Sequence, residues 1–267
     1  MLTETTNLIP IENAIKEADQ DSLVIFDIDM VLIMPIPLVI MDPYCEQLWE
    51  KIVAKNTKEQ IKFLESIVMV ASPYTTVDLK ISDILNYLKK QKIPTIGLTA
   101  ISTGQFGVLA KLEDFRIKNL KNINIDFTKL NTIKGTILAE ELENTNMIFS
   151  DCTGIPLLKS GIIFTAGVNK AVVLQYILRE KNYYPKTIIF VDDDLNNLKS
   201  LEKLCIKLNI NFYGFYYTAV SVMPLPKIKK SFEKLRFKIL EQEHCWLSYK
   251  EIAELKEQMK CKPYDYS

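Results

Sequence analysis

The side chains best suited to chemistry in this sequence are aspartates that close apolar runs. Asp27 and Asp29 follow the run LVIF and stand two apart, so in a strand or its exit both carboxylates point to one side. A second acidic group, Asp192, Asp193 and Asp194, follows TIIFV, while Thr99 ends a third run, IPTIGLT. Lys170 opens an amphipathic stretch. Carboxylates this close repel each other unless a cation intervenes, and hard oxygen donors suit Mg2+, which takes one or two carboxylates together with water and phosphate oxygens. Singly, each residue also has an ordinary structural use: Asp as a helix cap or turn, Thr99 as an N-cap or buried β-branched residue, Lys170 as a solvated helix residue.

Composition narrows the alternatives. The one histidine, His244, sits in the polar late segment EQEHCWLSYKE, which disfavours Ser-His-Asp triads, Cys-His dyads and HExxH zinc sites. The five cysteines (Cys45, Cys152, Cys205, Cys245, Cys261) are widely spaced and form no CxxC pair, so neither a zinc site nor a full disulfide framework is indicated, and a reducing compartment fits. With 33 basic and 33 acidic residues there is no global field to gather nucleic acid or an acidic membrane; neither is expected as a partner. No cationic start precedes an apolar run, and no stretch reaches the roughly 20 apolar residues that span a bilayer. The expected location is cytoplasmic, or exported without a cleavable signal peptide. Oligomeric state is not set by the sequence.

The elements that must position these residues follow from hydrophobic periodicity. Continuous apolar runs at 23–26, 93–99 and 187–191 have the profile of buried parallel strands, and 210–218 reads as another. Helical periodicity appears at 8–20, 78–92, 169–182 and after Asp194, and a further helix is expected around 106–120. A hairpin is expected within 147–165. Strands alternating with helices predict an α/β fold: a doubly wound, mainly parallel, Rossmann-like sheet with helices on both faces, binding ligands at the carboxyl ends of its strands. The 267 residues divide into a core of 1–33 and 78–223, a small helical cap-like insertion at 34–77 and a C-terminal helical extension at 224–267.

Read together, FDIDMVL at 26–32, GLT at 97–99, Lys170 in GVNKAVVL and FVDDDLNNL at 190–198 resemble, in order and approximate spacing, the four motifs of the haloacid dehalogenase-like (HAD) superfamily. The layout is similar to that of a bacterial subgroup of HAD-like proteins. The resemblance covers about 22–220 and rests on few positions. It implies a Mg2+-dependent phosphatase acting on a phosphorylated substrate, with Asp27 as nucleophile forming an aspartyl-phosphate and Asp29 as general acid and base. It further implies Thr99 and Lys170 as holders of the phosphoryl oxygens, with Lys159 a competitor for the lysine role. Asn197 is implied as a further substrate contact. Metal ligands would be Asp27, the backbone carbonyl of Asp29, and Asp193 before Asp192, with Asp194 turned away. An acid at position 29 favours phosphoryl transfer over dehalogenation, since a halide leaves without a proton. Phosphotransfer to another acceptor, and a binding or effector role on the same scaffold, remain as alternatives.

Three other features have plainer readings. The basic residues Lys227, Lys229, Lys230, Lys234, Arg236 and Lys238 are interrupted or followed by Glu233, Glu241 and Glu243 and are expected on a solvated helix face. Phe212, Tyr213, Phe215, Tyr216 and Tyr217 are expected to pack in a strand. Either 34–77 or 103–160 is placed to cover a site.

Overall fold

The computed structural model describes residues 1–130, 133, 137–138 and 154–261. In chain order it contains β1 (Leu2–Thr5), α1 (Ile9–Lys16), β2 (Ser22–Phe26), β3 (Ile33–Pro35), α2 (Pro43–Val53), α3 (Lys58–Ala71), β4 (Tyr74–Thr76) and α4 (Ile81–Gln91). There follow β5 (Thr95–Thr99), α5 (Leu112–Asn122), β6 (Ile137–Leu138), β7 (Leu157–Lys159), β8 (Ile162–Phe164) and α6 (Lys170–Glu180). The chain closes with β9 (Thr187–Asp192), α7 (Leu195–Leu208), β10 (Asn211–Tyr217), α8 (Lys230–Glu243) and α9 (Tyr249–Cys261).

Local chemistry sets many of these limits. Asp42 caps α2 through the Tyr44 N–H, with Pro43 in the first turn, where a missing N–H costs nothing. Thr57 and Gln60 form a reciprocal capping box on α3. Lys92, Asn209 and His244 end α4, α7 and α8 in the left-handed conformation that stops a helix.

Two compact units result. The first comprises Met1–Met34, Tyr74–Gln105 and Ala110–Met223. Its sheet runs β1-β10-β9-β2-β5-β8-β7-β6, parallel as far as β8 and antiparallel at β7 and β6. Every residue of β2 and of β5 is buried, which is why their sequences run apolar instead of alternating. Leu23, Ile25, Ile188 and Phe190 pack with Val173, Leu174, Ile177, Leu198 and Leu201 of α6 and α7 on one face. The alternate positions Val24 and Ile189 point the other way and are also buried, so both faces are covered. The fold is the expected doubly wound α/β fold. β2 is flanked by β5 on one side and by β9 on the other, so the strand order switches direction at its tip, where ligands of such sheets bind.

The second unit comprises Pro35–Pro73, Phe106–Leu109 and the chain from Pro224. The insertion and the C-terminal extension, separate in the sequence reading, fold together here. Cys45, Ile52 and Leu64 of α2 and α3 share one apolar cluster with Phe237, Leu240 and Trp246. Periodicity marks an apolar face but not the segment that covers it.

Other expectations shift in detail. β1 was not anticipated: four residues at the chain start carry little pattern, and pairing with β10 makes them a strand. The helix expected from 106 begins only at Leu112. Phe106 and Leu109 instead close a tight turn by exchanging backbone hydrogen bonds of 2.9 Å, with Gly107 at φ +54°. The antiparallel pair β7 and β8 forms part of the expected hairpin; its start lies outside the described residues.

One sequence expectation is corrected in α8. Lys227, Lys229, Lys230, Lys234 and Lys238 are exposed, but Arg236 is buried beside buried Glu233, 3.2 Å away, and stacks 3.9 Å over Trp246. Arg236 belongs to the interior, where its charge has a partner. The aromatic run lies in β10 as expected, with Phe212, Phe215 and Tyr217 buried and Tyr216 partly so, whereas Tyr213 faces solvent. His244 lies in the second unit, edge-on to Phe63. Among the described residues no helix is long and apolar enough to cross a membrane.

Candidate functional site

The site is built at the tip of β2. Phe26 pairs in register with Val191 of β9 and Gly97 of β5, so the next residues, Asp27 and Asp192, emerge side by side. The Asp27 N–H donates to Val191 O at 2.9 Å, fixing this junction. Space at Gly97 is tight: a Cβ would stand 2.9 Å from Ile28 Cδ1 and 3.1 Å from Ile162, so both side chains would have to shift.

Lys170 comes from the other side of β5. Thr165 donates to Thr99 O at 2.8 Å, and Ala166 and Gly167 donate to Ile101 O and Ala100 O, which ties the approach to α6 onto the end of β5. Asn169 then caps α6 through the Ala171 N–H at 2.9 Å, leaving Lys170 in the first turn. Its ammonium lies 2.9 Å from Asp27 Oδ1 and 2.7 Å from Asp192 Oδ2, and the side chain is only 2 % exposed.

Asp27, Asp192 and Asp193 each offer a carboxylate oxygen within 4.8 Å of the others. Asp193 is the most exposed of the three. Asp27 Oδ1 also accepts the Ile28 N–H at 2.7 Å. Asp192 accepts from Asp194 N at 2.8 Å and from Asn197 Nδ2 at 3.2 and 3.3 Å. Of the two carboxylates considered for the metal, Asp192 is thus buried and held on several sides.

Burial, ahead of the surplus of negative charge, governs the titration of these three carboxylates. Burial pushes the Asp27 carboxyl well above the usual carboxylate range, with Lys170 opposing and Asp192 and Asp29 adding to the rise. Asp192 rises for the same first reason, against Lys170. Asp193 is pushed up to about 6 by burial and by Asp192. Burial alone would lower the Lys170 ammonium, but Asp27 and Asp192 outweigh it and hold it above the ordinary lysine value. The donor set, carboxylate oxygens held close together beside one ammonium, is of the hard-oxygen kind that fits a divalent cation such as Mg2+.

The remaining residues fall out differently. Thr99 ends β5 beside β2, buried, its hydroxyl accepting the Ile101 N–H at 3.3 Å. Asp194 caps α7 through the Asn196 N–H and is engaged there. Asn197 braces Asp192. Lys159 pairs with Asp114 of α5 at 2.5 Å and makes no contact with the acidic cluster among the described residues.

Asp29 has a partner that sequence reading missed. Its carboxylate, 37 % exposed, lies 2.9 Å from Nη2 of Arg116 on α5, and Arg116 is 4 % exposed. The guanidinium also sits 4.8 Å over the ring of Tyr74, while its buried Nε and Nη1 have no hydrogen-bond partner among the described residues. A signal was present: Leu112, Arg116 and Leu120 are spaced by four, so a charge occupies the middle of an apolar stripe. The turn that carries Asp29 is tight, with Met30 at φ 61° and its N–H on Ile33 O at 2.8 Å.

A buried ammonium between two strand-end carboxylates, at the switch point of a doubly wound sheet, defines an α/β protein with an acidic candidate site. The family model described as "Protein of unknown function (DUF2608)" matches residues 4–253, and the chain belongs to that family. The chain is similar to an uncharacterized protein of Rickettsia prowazekii, 24% identical over 228 residues that cover 83% of this chain and 78% of that one. It is also similar to an uncharacterized protein of Rickettsia felis, 26% identical over 168 residues, or 61% of this chain and 55% of the relative. A Chlamydia muridarum protein whose name assigns it provisionally to the outer membrane is 26% identical over 139 residues, 48% of this chain and 53% of that one. The chain therefore spans about half the length of these last two relatives. No solved structure matches it.

Proposed function

We propose that this protein is a Mg2+-dependent phosphatase of the HAD type, hydrolysing a phosphate monoester through an aspartyl-phosphate on Asp27. The observation that carries the reading is the cluster of Asp27, Asp192 and Asp193 within 4.8 Å, with Lys170 at 2.9 and 2.7 Å from the first two. Asp27 Oδ1 is anchored by Lys170 and the Ile28 N–H, which orients the carboxylate and leaves its other oxygen to attack phosphorus. The P–O bond to the leaving group breaks as the bond to Asp27 forms; water then attacks the phosphorus and restores the carboxylate.

Asp27, Asp193 and Asp192 would hold the metal, which when bound offsets charge on the phosphate and on the carboxylates. Lys170 opposes the rise that burial imposes on the Asp27 carboxyl, favouring its ionised form, and balances charge on the phosphoryl group. Thr99 stands at the neighbouring strand end as a holder of a phosphoryl oxygen once its hydroxyl turns from Ile101. Asp29 carries the proton to the leaving oxygen and takes one from water, which requires it to part from Arg116.

That last contact favours a second reading. With Asp29 clamped by a buried guanidinium, the scaffold could bind a phosphorylated partner without turning it over. Turnover of p-nitrophenyl phosphate separates the two: it should require Mg2+ and vanish in Asp27→Asn. A folded Asp27→Asn protein of full activity would remove the phosphatase reading, and metal and phosphate binding without turnover in the unaltered chain would favour the second.

A further inference from the structure

The chain has two tryptophans, Trp49 and Trp246, and both line one cavity of the second unit, of about 370 Å³. That volume lies in the range of small-molecule sites. Helix spacing builds its walls. Glu46 and Trp49 are three apart on α2, while Glu65, Val68 and Met69 lie three and four apart on α3, so each helix brings one carboxylate and its apolar neighbours to the same lining.

We infer that this cavity binds an apolar organic cation, an ammonium bearing hydrocarbon substituents. Its lining contains two carboxylates, two indoles and apolar side chains, and no lysine or arginine among the described residues. Arg236 stacks on the indole of Trp246 from outside that lining, and its charge is matched by buried Glu233 at 3.2 Å. The buried Cys45 thiol, pushed up to about 12 by burial and by Glu233, is uncharged and adds nothing to the balance.

Ligand charge decides the match. An anion would meet Glu46 and Glu65 directly, and a neutral guest would strip water from them and give no counter-charge in return. A cation offsets both carboxylates while its hydrocarbon groups cover Val68 and Met69 and its charge meets the indole rings. Burial pushes the Glu65 carboxyl above its ordinary value, with Lys62 on the same helix opposing, so this partly desolvated carboxylate would gain from a further positive charge in the cavity.

The test uses the full chain and its tryptophan fluorescence, excited at a wavelength where tyrosine does not absorb, which reports on this cavity because both indoles line it. Choline and 3,3-dimethylbutan-1-ol have nearly the same shape and differ by one charge. Choline is expected to give a saturable change with an affinity roughly tenfold tighter than the alcohol, the size of a cation–π and ion-pair contribution. Glu46→Gln/Glu65→Gln should erase that preference, and each single variant should reduce it, which serves if the double variant fails to fold. Asp27→Asn should leave it unchanged, so this inference does not depend on the phosphatase reading. Equal binding of the two probes, absence of a saturable change, or a preference that survives both glutamine substitutions would overturn it.

Discussion

Lys170 and Asp192 form an ion pair of 2.7 Å in which the side chains are 2 % and 0 % exposed. The pair joins the first turn of α6 to the last residue of β9, and Asp27 completes it from β2 at 2.9 Å. Desolvation makes such charges costly alone, so each partner depends on the others.

Replacing Lys170 by Met should therefore strip the buried carboxylates of their counter-charge and destabilise the protein by about 3–5 kcal/mol. Urea unfolding of the metal-free protein measures this. A loss below about 1 kcal/mol would mean that Lys170 carries little of the compensation. Mg2+ should recover part of the lost stability, since it supplies the missing positive charge.

Asp193 gives the site a pH dependence with a definite sign. Its folded carboxyl titrates near about 6, above the ordinary value of 3.8, so between these limits the folded chain holds more protons than the unfolded one. Metal-free stability should accordingly fall on this account as pH rises through that window. Asp193→Asn removes the effect, and the variant should melt higher than the unaltered protein at pH 7 in EDTA, with the gap closing as pH drops toward about 4. In saturating Mg2+ the order should reverse, because the variant lacks a ligand. Thermal melts across this range that coincide for the two proteins would refute the assignment.

Arg116 should behave as a residue that costs stability. Its buried Nε and Nη1 have no partners among the described residues, and Leu112 and Leu120 flank it on α5. Arg116→Leu extends the apolar stripe and leaves Asp29, already 37 % exposed, to water. The melting temperature should stay level or rise, while turnover of p-nitrophenyl phosphate, if present, changes. A fall of more than about 2 kcal/mol would instead make Arg116 a structural anchor.

Gly107 tests the packing of the second unit. At φ +54°, an added Cβ would stand 2.1 Å from Ser66 Oγ and 2.6 Å from Lys62 O, and Ser66 Oγ accepts the Val108 N–H at 2.9 Å. Gly107→Ala should cost about 2 kcal/mol or more through strain and displacement of this hydrogen bond. Greater hydrogen-exchange loss in α3 than in β2 would place the damage in the second unit; uniform loss would argue against that.

Much of the first unit was legible in the chain itself. Unbroken apolar runs identify β2, β5 and β9 because strands covered on both faces cannot alternate, and each run closes at the carboxyl edge of the sheet, on Asp27, Thr99 and Asp192. The start of α6 at Lys170 was equally readable from its periodicity. Tertiary structure decided the rest. Asp192 and Asp193 look alike in sequence, and only the β2–β9 register makes Asp192 the buried partner of Lys170. Arg116 meets Asp29 across 87 positions, and α2 and α3 share their apolar cluster with α8 across nearly the whole chain. Local pattern specifies which face of a segment must be buried, because that depends on its own residues. It does not specify what buries that face, because the covering segment is selected by the free energy of the whole fold.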